Sequence, residues 1–418
     1  MNTVAIIGFG CAGYHCAKAL RENGFSGEIH VFTDSPFPPA NPMLTTYYVA
    51  DKISFERLFP FGSLSEISSK LGLTLHVDSK VIKVDAAKEI TLSSGKKFKF
   101  DKILIATGAS AVIPPIEGIE SKNVYYMRTV DDAVRLKQRL EKGDIEKAIV
   151  VGASMVGIKV AEIFSMMGIP CLIADMAPYI FPRAAVKEVA WEIQRRIEEK
   201  GIGFELGAPL TGIKEINNKI YLECGAKSVE ADIAVMAIGM KPNIGFINPG
   251  EIKTDNAILV NSGMETSAEG IYAAGDCCTA YDIQNDCNQV FGLWSNAAYQ
   301  GRTAGERMAG RISDYSGSIL NNITHFMGLD FVSIGDVKAQ GRAITWQRED
   351  FIFHAVEKEG CLLLVNILNN HAISGAIKNY MIKKFSGIKD KMGPMQKGIL
   401  INTGMPLRLL RELKVMES

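Results

Sequence analysis

Two copies of one pattern, an apolar strand running through a glycine turn into a helix, constrain this chain more than anything else in it. The first copy is residues 4–7, then Gly8-Phe9-Gly10-Cys11-Ala12-Gly13, with a helix predicted over 12–21. The second is residues 147–151, then Gly152-Ala153-Ser154-Met155-Val156-Gly157, with a helix predicted over 157–167. Strands this short and this apolar suit a parallel sheet covered on both faces. In G-x-G-x-x-G the first glycine makes the tight turn, the second admits a pyrophosphate and the third lets helix pack on strand. The phosphates then meet the unpaired N–H groups at the positive end of that helix.

Each turn is followed by the rest of a dinucleotide unit. A second strand at 29–32 leads to Asp34, twenty-one residues past Gly13, where a ribose-binding acid belongs. After the second turn, a strand at 170–174 ends on Asp175, eighteen residues past Gly157. Ser154 replaces the middle glycine of this copy and makes the turn less stringent. At 418 residues the chain is too long for one core. The prediction is α/β, with two Rossmann-like dinucleotide-binding domains and a smaller third.

Between the units, residues 36–42 are a proline-rich connector that cannot be helix or central strand. It runs into Met43-Leu44-Thr45-Thr46-Tyr47-Tyr48. Strands are predicted at 73–77, 80–85 and 97–100. An apolar strand then ends on Ala106-Thr107-Gly108, and residues 113–115 read as a linker. Helices are predicted at 130–140 and 184–200. A second apolar strand ends on Ala237-Ile238-Gly239, with another linker at 241–243. The last hundred residues read as a small mixed sheet, with strands at 331–334, 351–356 and 361–367, and a basic helix near 407–415.

Lys+Arg and Asp+Glu both number 46, so no basic stripe argues for nucleic acid or an anionic membrane. No apolar stretch is long enough for a transmembrane helix, and the apolar N-terminus lacks the positive flank of a signal peptide. A cytoplasmic protein is expected. The eight cysteines form no C-x-x-C and no zinc spacing, so no metal site is predicted. Most of the cysteines read as reduced, buried packing residues, and Cys277, Cys278 and Cys287 are not expected to form a redox or metal cluster. His325, at the start of the last domain, reads as a packed or surface histidine more readily than a functional one.

The segment Thr266-Ser267…Ile271-Tyr272-Ala273-Ala274-Gly275-Asp276, taken with both turns and both strand ends, resembles the pyridine nucleotide–disulfide oxidoreductase superfamily. The resemblance implies that Gly8, Gly10, Cys11, Ala12 and Gly13 hold FAD with Asp34 and Val81. It implies that Gly275 and Asp276 return to complete that site. Ala106, Thr107 and Gly108, with Ala237 and Gly239, would be the crossings between domains. Gly152, Ser154, Met155, Val156, Gly157 and Asp175 would take NADH. A carboxylate at 175, with no nearby cation before Arg183, favours NADH over NADPH by repelling a 2′-phosphate. The implied domains are 1–111 with 243–315 for FAD, 112–242 for NAD(P)H inserted between them, and 316–418 as a small α+β interface-type domain.

Disulfide-reducing members carry a cysteine beside the flavin, and none lies between Cys16 and Cys171. Asn41-Pro42-Met43-Leu44-Thr45-Thr46 is instead similar to the flavin segment of NADH–rubredoxin and ferredoxin reductases and of NADH-dependent nitrite reductases. Asn41, Thr45, Thr46 and Trp294 are then expected at the flavin. Relatives pair a lysine at the position of Thr46 with a glutamate at the position of Lys159. Here the cation has crossed to the NAD-side helix, and Lys159 is the residue expected to stabilise the anionic reduced flavin. The implied activity is hydride transfer from NADH to FAD, with electrons leaving to a small iron–sulfur or rubredoxin-type protein or a partner subunit. Two alternatives stand: reduction of oxygen, a quinone or a small organic acceptor, and an NADH-sensing flavoprotein like apoptosis-inducing factor. A homodimer through the last domain is compatible with all three.

Overall fold

In the computed structural model, which describes residues 2–388, 393–405 and 407–412, the two glycine turns sit in two sheets of the same construction. The first sheet is parallel and five-stranded, in the order 271–273, 102–105, 3–7, 28–32, 73–76. The second has the order 124–126, 233–236, 148–151, 171–175, 203–206. The strands Thr3–Ile7 and Ala148–Val151 hold corresponding central places. Val4 to Ile7 and all four residues of the second strand are buried, as strands covered on both faces must be. A three-stranded antiparallel meander hangs from each sheet, at 81–99 and 210–231.

The copies differ in where the chain is cut. The first sheet receives its edge strand, Ile271–Ala273, only after the whole second sheet has been made. The chain leaves through Ala109–Ala111 and returns through Met240–Pro242, and these two strands pair antiparallel. Asn243 fastens the crossing: its amide donates to the Thr107 carbonyl at 3.0 Å, and Thr107 Oγ1 donates to its carbonyl at 2.7 Å.

The last sheet is antiparallel at every pairing, in the order 321–326, 329–335, 361–368, 351–358, 342–348. The expectation of a mixed sheet is corrected here: three tight hairpins join strands 321–326 to 329–335, 342–348 to 351–358 and 351–358 to 361–368, and one connection, 336–341, carries the chain from 329–335 to the far edge strand, which enters antiparallel to its neighbour. Two of its strands, Asn321–Phe326 and Arg342–Arg348, carry polar residues on an exposed face and lack a continuous apolar run. One face of this sheet packs Phe326, Phe331 and Leu368 against the second unit, where Phe331 stacks on Phe181 at 5.3 Å between centroids. Helix Ser374–Phe385 covers the other with Ile377, Tyr380 and Met381. The helix predicted over 184–200 spans only Lys187–Glu198, because Val186 at its N-cap is extended, with ψ 155°, and its N–H donates to Asn366 Oδ1. The predicted C-terminal helix is present over Leu407–Glu412, and its remainder lies outside the described residues. Among the described residues, no helix is long and apolar enough to cross a membrane.

Candidate cofactor trench

Both glycine turns are built on the same contact between neighbouring strand ends. Gly8 has φ +93°, and a Cβ there would lie 2.3 Å from the Ala106 carbonyl oxygen. Gly152 has φ +112°, and a Cβ would lie 2.5 Å from the Ala237 oxygen. No other residue type fits either place. Gly13 and Gly157 then bring helix onto strand, each approaching the carbonyl of its own first glycine. This closeness is why Ala106 and Ala237 stand where the sequence predicts the crossings.

The two helix N-termini differ. Helix Cys11–Glu22 begins at Gly10 with no side-chain cap, so the N–H groups of its first turn remain available to a ligand. Helix Met155–Met166 begins at Ser154, whose Oγ accepts from the Gly157 N–H at 3.2 Å and donates to the Ala237 carbonyl at 2.9 Å. The first turn therefore has the fuller provision for a phosphate, and the second has already used part of its own.

Two cavities open along the first turn. The larger, of about 490 Å³, is walled by Gly8, Thr33, Asp34, Val81, Thr107 and Phe246 among others. The smaller, of about 130 Å³, is lined by Gly10, Cys11, Ala12, Ala106, Gly108, Met43, Gly275, Asp276, Trp294 and Arg128. Both lie at the carboxyl ends of the parallel strands, where open α/β sheets place their ligands. The larger has room for a nucleoside, and the smaller opens at the N-terminus of helix Cys11–Glu22. The residues present thus fit an extended dinucleotide such as FAD.

Asp34 lies one residue beyond the register of Asp175. Gly8 donates to the Phe32 carbonyl and Gly152 to the Ala174 carbonyl, so Thr33 is the counterpart of Asp175. Asp34 still reaches the cavity wall. The Asp175 carboxylate accepts from the N–H groups of Ala153 at 2.6 Å and Ala177 at 2.8 Å, which holds it against the second turn.

Helix Trp294–Met308 brings in the far wall. Gly301 and Gly305 let it lie directly on the first helix, since a Cβ at Gly301 would sit 2.2 Å from the Ala12 oxygen. Gln300, buried in this contact, accepts from the Gly275 N–H at 2.7 Å and fixes the loop carrying Asp276. Trp294 is half-buried, packs on Phe61 and lines the smaller cavity.

Arg128 escaped the sequence reading. Its Nη2 donates to Asp276 Oδ2 at 2.5 Å and its Nε to the Ala109 carbonyl, tying the second unit to the loop of the first. A guanidinium beside an uncapped helix N-terminus makes an anion site. The available signal was its position just before the Thr129–Asp132 capping box of helix Val130–Leu140.

The flavin-side segment is less open than expected. Asn41 Oδ1 accepts from the Met43 N–H, and Thr45 Oγ1 donates to the Pro42 carbonyl. Thr45 and Thr46 are buried, and the segment's lining of the smaller cavity comes from Ala40, Pro42 and Met43. Lys159 lines neither cavity. It is 8% exposed, and its ammonium donates to Glu162 Oε2 at 2.7 Å and to the His325 carbonyl at 2.8 Å, beneath the Tyr47 ring. Glu162 also accepts from Lys52 and from the Met327 N–H. One carboxylate thus answers two ammonium groups, leaving a net positive cluster behind the Thr45–Val49 helix.

The cysteines are all unbridged. Cys277 and Cys278 are buried and donate to carbonyls of the first sheet and its loop. Cys11 is the one thiol lining either cavity. It is buried, donates to the Trp294 carbonyl at 3.5 Å, and burial together with the nearby Asp276 charge pushes its pKa up to about 12.

Comparison with known proteins places the chain in a family. Over 285 residues the chain is 28% identical to a rubredoxin–NAD(+) reductase of Pseudomonas putida, covering 67% of this chain and 73% of the relative. It is 29% identical to an NADH oxidase of Methanocaldococcus jannaschii, covering 81% and 75% respectively. Among solved structures, the water-forming NADH oxidase of Lactobacillus brevis superimposes with a TM-score of 0.86 at 19% identity, over 93% of this chain and 91% of that one. The family model of the pyridine nucleotide-disulphide oxidoreductases matches residues 2–301, which takes in both turns, both crossings and Asp276. The chain belongs to that family and is an NAD(P)H oxidoreductase.

Proposed function

We propose that this chain takes hydride from NADH onto bound FAD and passes the electrons to a small iron–sulfur or rubredoxin-type protein or to a partner subunit. The observation that carries the reading is the state of Cys11. The one thiol at the trench is buried, bonded to a carbonyl and held protonated, and the segment 36–48 has no cysteine. A thiol that stays protonated cannot relay electrons to a disulfide.

FAD, when bound, supplies the hydride-accepting ring; the protein's part is to hold, orient and tune. The N–H groups of Cys11 and Ala12, with Arg128, would hold the pyrophosphate. Asp34 and Val81 would flank the adenosine, and Asp276 the ribityl chain. Asn41, Thr45, Thr46 and Trp294 would border the flavin. Gly152, Ser154, Met155, Val156 and Gly157 would seat NADH, with Asp175 at its ribose. These roles divide the chain into an FAD part, 1–111 with 243–315, an inserted NADH part, 112–242, and the last domain, 316–418. The relative named as a rubredoxin reductase supports the carrier reading. The relative named as an NADH oxidase supports direct reduction of oxygen as the second reading.

Anaerobic mixing of the holoprotein with NADH, followed by a rubredoxin or by air, tests this. Fast bleaching of the flavin band, with the carrier reoxidising it faster than oxygen, is the expected result. Reoxidation by oxygen at the faster rate would overturn the carrier reading. Slow bleaching with a persistent charge-transfer band would overturn both and favour an NADH sensor.

A further inference from the structure

The last sheet carries a cluster that hydride transfer does not use. Strands Asn321–Phe326 and Leu329–Gly335 are joined by a two-residue turn, Met327-Gly328, with φ of 49° and 79°. Positive φ at both positions marks the hairpin turn whose twist matches that of its strands. This register sets His325 directly opposite Asp330. His371 opens the 3-10 turn His371–Ile373, just past strand Cys361–Leu368, which pairs with Leu329–Gly335. Three separate segments thus deliver two imidazoles and one carboxylate to the same place.

Hydrogen bonds from outside the trio to its backbone groups hold the arrangement. The Asn369 N–H donates to the Asp330 carbonyl at 2.7 Å, and the Asp330 N–H donates to Asn369 Oδ1 at 3.0 Å. The His325 carbonyl is held by the buried ammonium of Lys159. His325 Nδ1 pairs with Asp330 Oδ1, and His371 Nδ1 with Oδ2 at 2.7 Å. The three ligand-type atoms lie within 4.8 Å of one another, and among the described residues no other group of three does so.

We propose that His325, Asp330 and His371 form a surface site for a divalent transition metal of the zinc and cobalt class. Ligands about 2.0–2.1 Å from a tetrahedral zinc lie roughly 3.4 Å from each other, so small side-chain rotations close the trio on one ion. Two imidazole nitrogens and one carboxylate oxygen suit Zn²⁺, Co²⁺ or Ni²⁺ and not the hard, all-oxygen cations. Binding moves each ring proton from Nδ1 to Nε2. The half-exposed position leaves a further coordination place to water or an outside ligand.

Chelator-treated, desalted holoprotein, carrying Cys287→Ser to remove its exposed thiol, is titrated with Co²⁺ by absorption and with Zn²⁺ by calorimetry. One equivalent of Co²⁺ with a saturable d–d band is expected. His325→Gln and His371→Gln should each weaken binding by at least roughly tenfold, the lower end of what even outer-shell losses cost. Melting temperatures of the metal-free variants show that they fold. Absence of a saturable band, or equal affinity in the parent and both variants, would overturn the site.

Discussion

Lys159 and Glu162 face each other across one turn of the same helix, ammonium to carboxylate at 2.7 Å, with less than a tenth of either residue exposed. Removing one partner from a buried pair leaves the other charge uncompensated, which costs about 3–5 kcal/mol. Glu162→Ala strands both Lys159 and the Met327 N–H, and thermal unfolding of the holoprotein should show a loss near 3 kcal/mol. Glu162→Gln, whose amide oxygen still accepts, should lose less.

The same pair sets a pH dependence. Burial pushes the Glu162 carboxyl up, but hydrogen bonds from Lys159 and Met327 and the charges of Lys159 and Lys52 outweigh it, and its pKa lies below the ordinary glutamate value. A lowered folded-state pKa contributes stability that is full above the unfolded value and lost as pH falls through the folded one. Wild type should therefore lose stability below the ordinary glutamate range, and Glu162→Gln should lack that component. Acid titrations of the melting temperature compare the two.

Lys159 also carries the electrostatic proposal, now through a cluster of two ammonium groups and one carboxylate. Lys159→Met removes the positive excess. The two-electron flavin potential should fall by roughly 30 mV, equivalent to a tenfold change in the equilibrium. An unchanged potential together with unchanged NADH reduction would leave Lys159 as a structural link between the helix and the last sheet.

Arg128 and Asp276 join the two units at the mouth of the smaller cavity. Charge-assisted hydrogen bonds contribute about 1.5–3 kcal/mol, so Arg128→Ala should weaken FAD binding by roughly 10- to 100-fold. Arg128→Lys should recover only part of it, because an ammonium lacks the guanidinium fork. Fluorescence titration of the apoprotein with FAD measures both.

The parts of this fold that could be read from sequence are those where one residue type alone fits. Gly8, Gly13, Gly152 and Gly157 are forced by backbone contacts, and both sheets follow from the apolar strands beside them. Asp175 ends its strand where the apolar run predicts, and its place beside the second turn follows from the register of the two strands. Arg128 was not, because its partner Asp276 is distant in sequence and only the crossing strands bring them together. Strands 321–326 and 342–348 were hidden because most of their residues are polar and at least partly exposed, which leaves neither an apolar run nor a strict alternation. The His325, Asp330 and His371 cluster was hidden because a hairpin and a sheet pairing, not a spacing, assemble it.

Ser154 provides a test of the second turn. Its Oγ occupies the Gly157 N–H that a bare glycine turn would offer to a pyrophosphate. Serine to glycine at a helix N-cap costs only a few tenths of a kcal/mol. Ser154→Gly should therefore melt almost as wild type while its KM for NADH falls several-fold, with kcat nearly unchanged. A raised KM would mean that the hydroxyl itself contacts the dinucleotide.

Thiol labelling tests the proposal that no cysteine relays electrons in this chain. Cys287 is exposed and Cys361 partly so, while the other six cysteines are buried. Ellman's reagent should titrate one thiol quickly in the native holoprotein and a second more slowly. Burial and the Asp276 charge hold Cys11 protonated far above neutral pH, so it should not react. Anaerobic flavin reduction by NADH should proceed at the same rate before and after labelling, and equally in Cys11→Ser. A labelled enzyme that no longer passes electrons to its acceptor, with Cys11 as the modified residue, would place a thiol in the pathway and reverse the assignment.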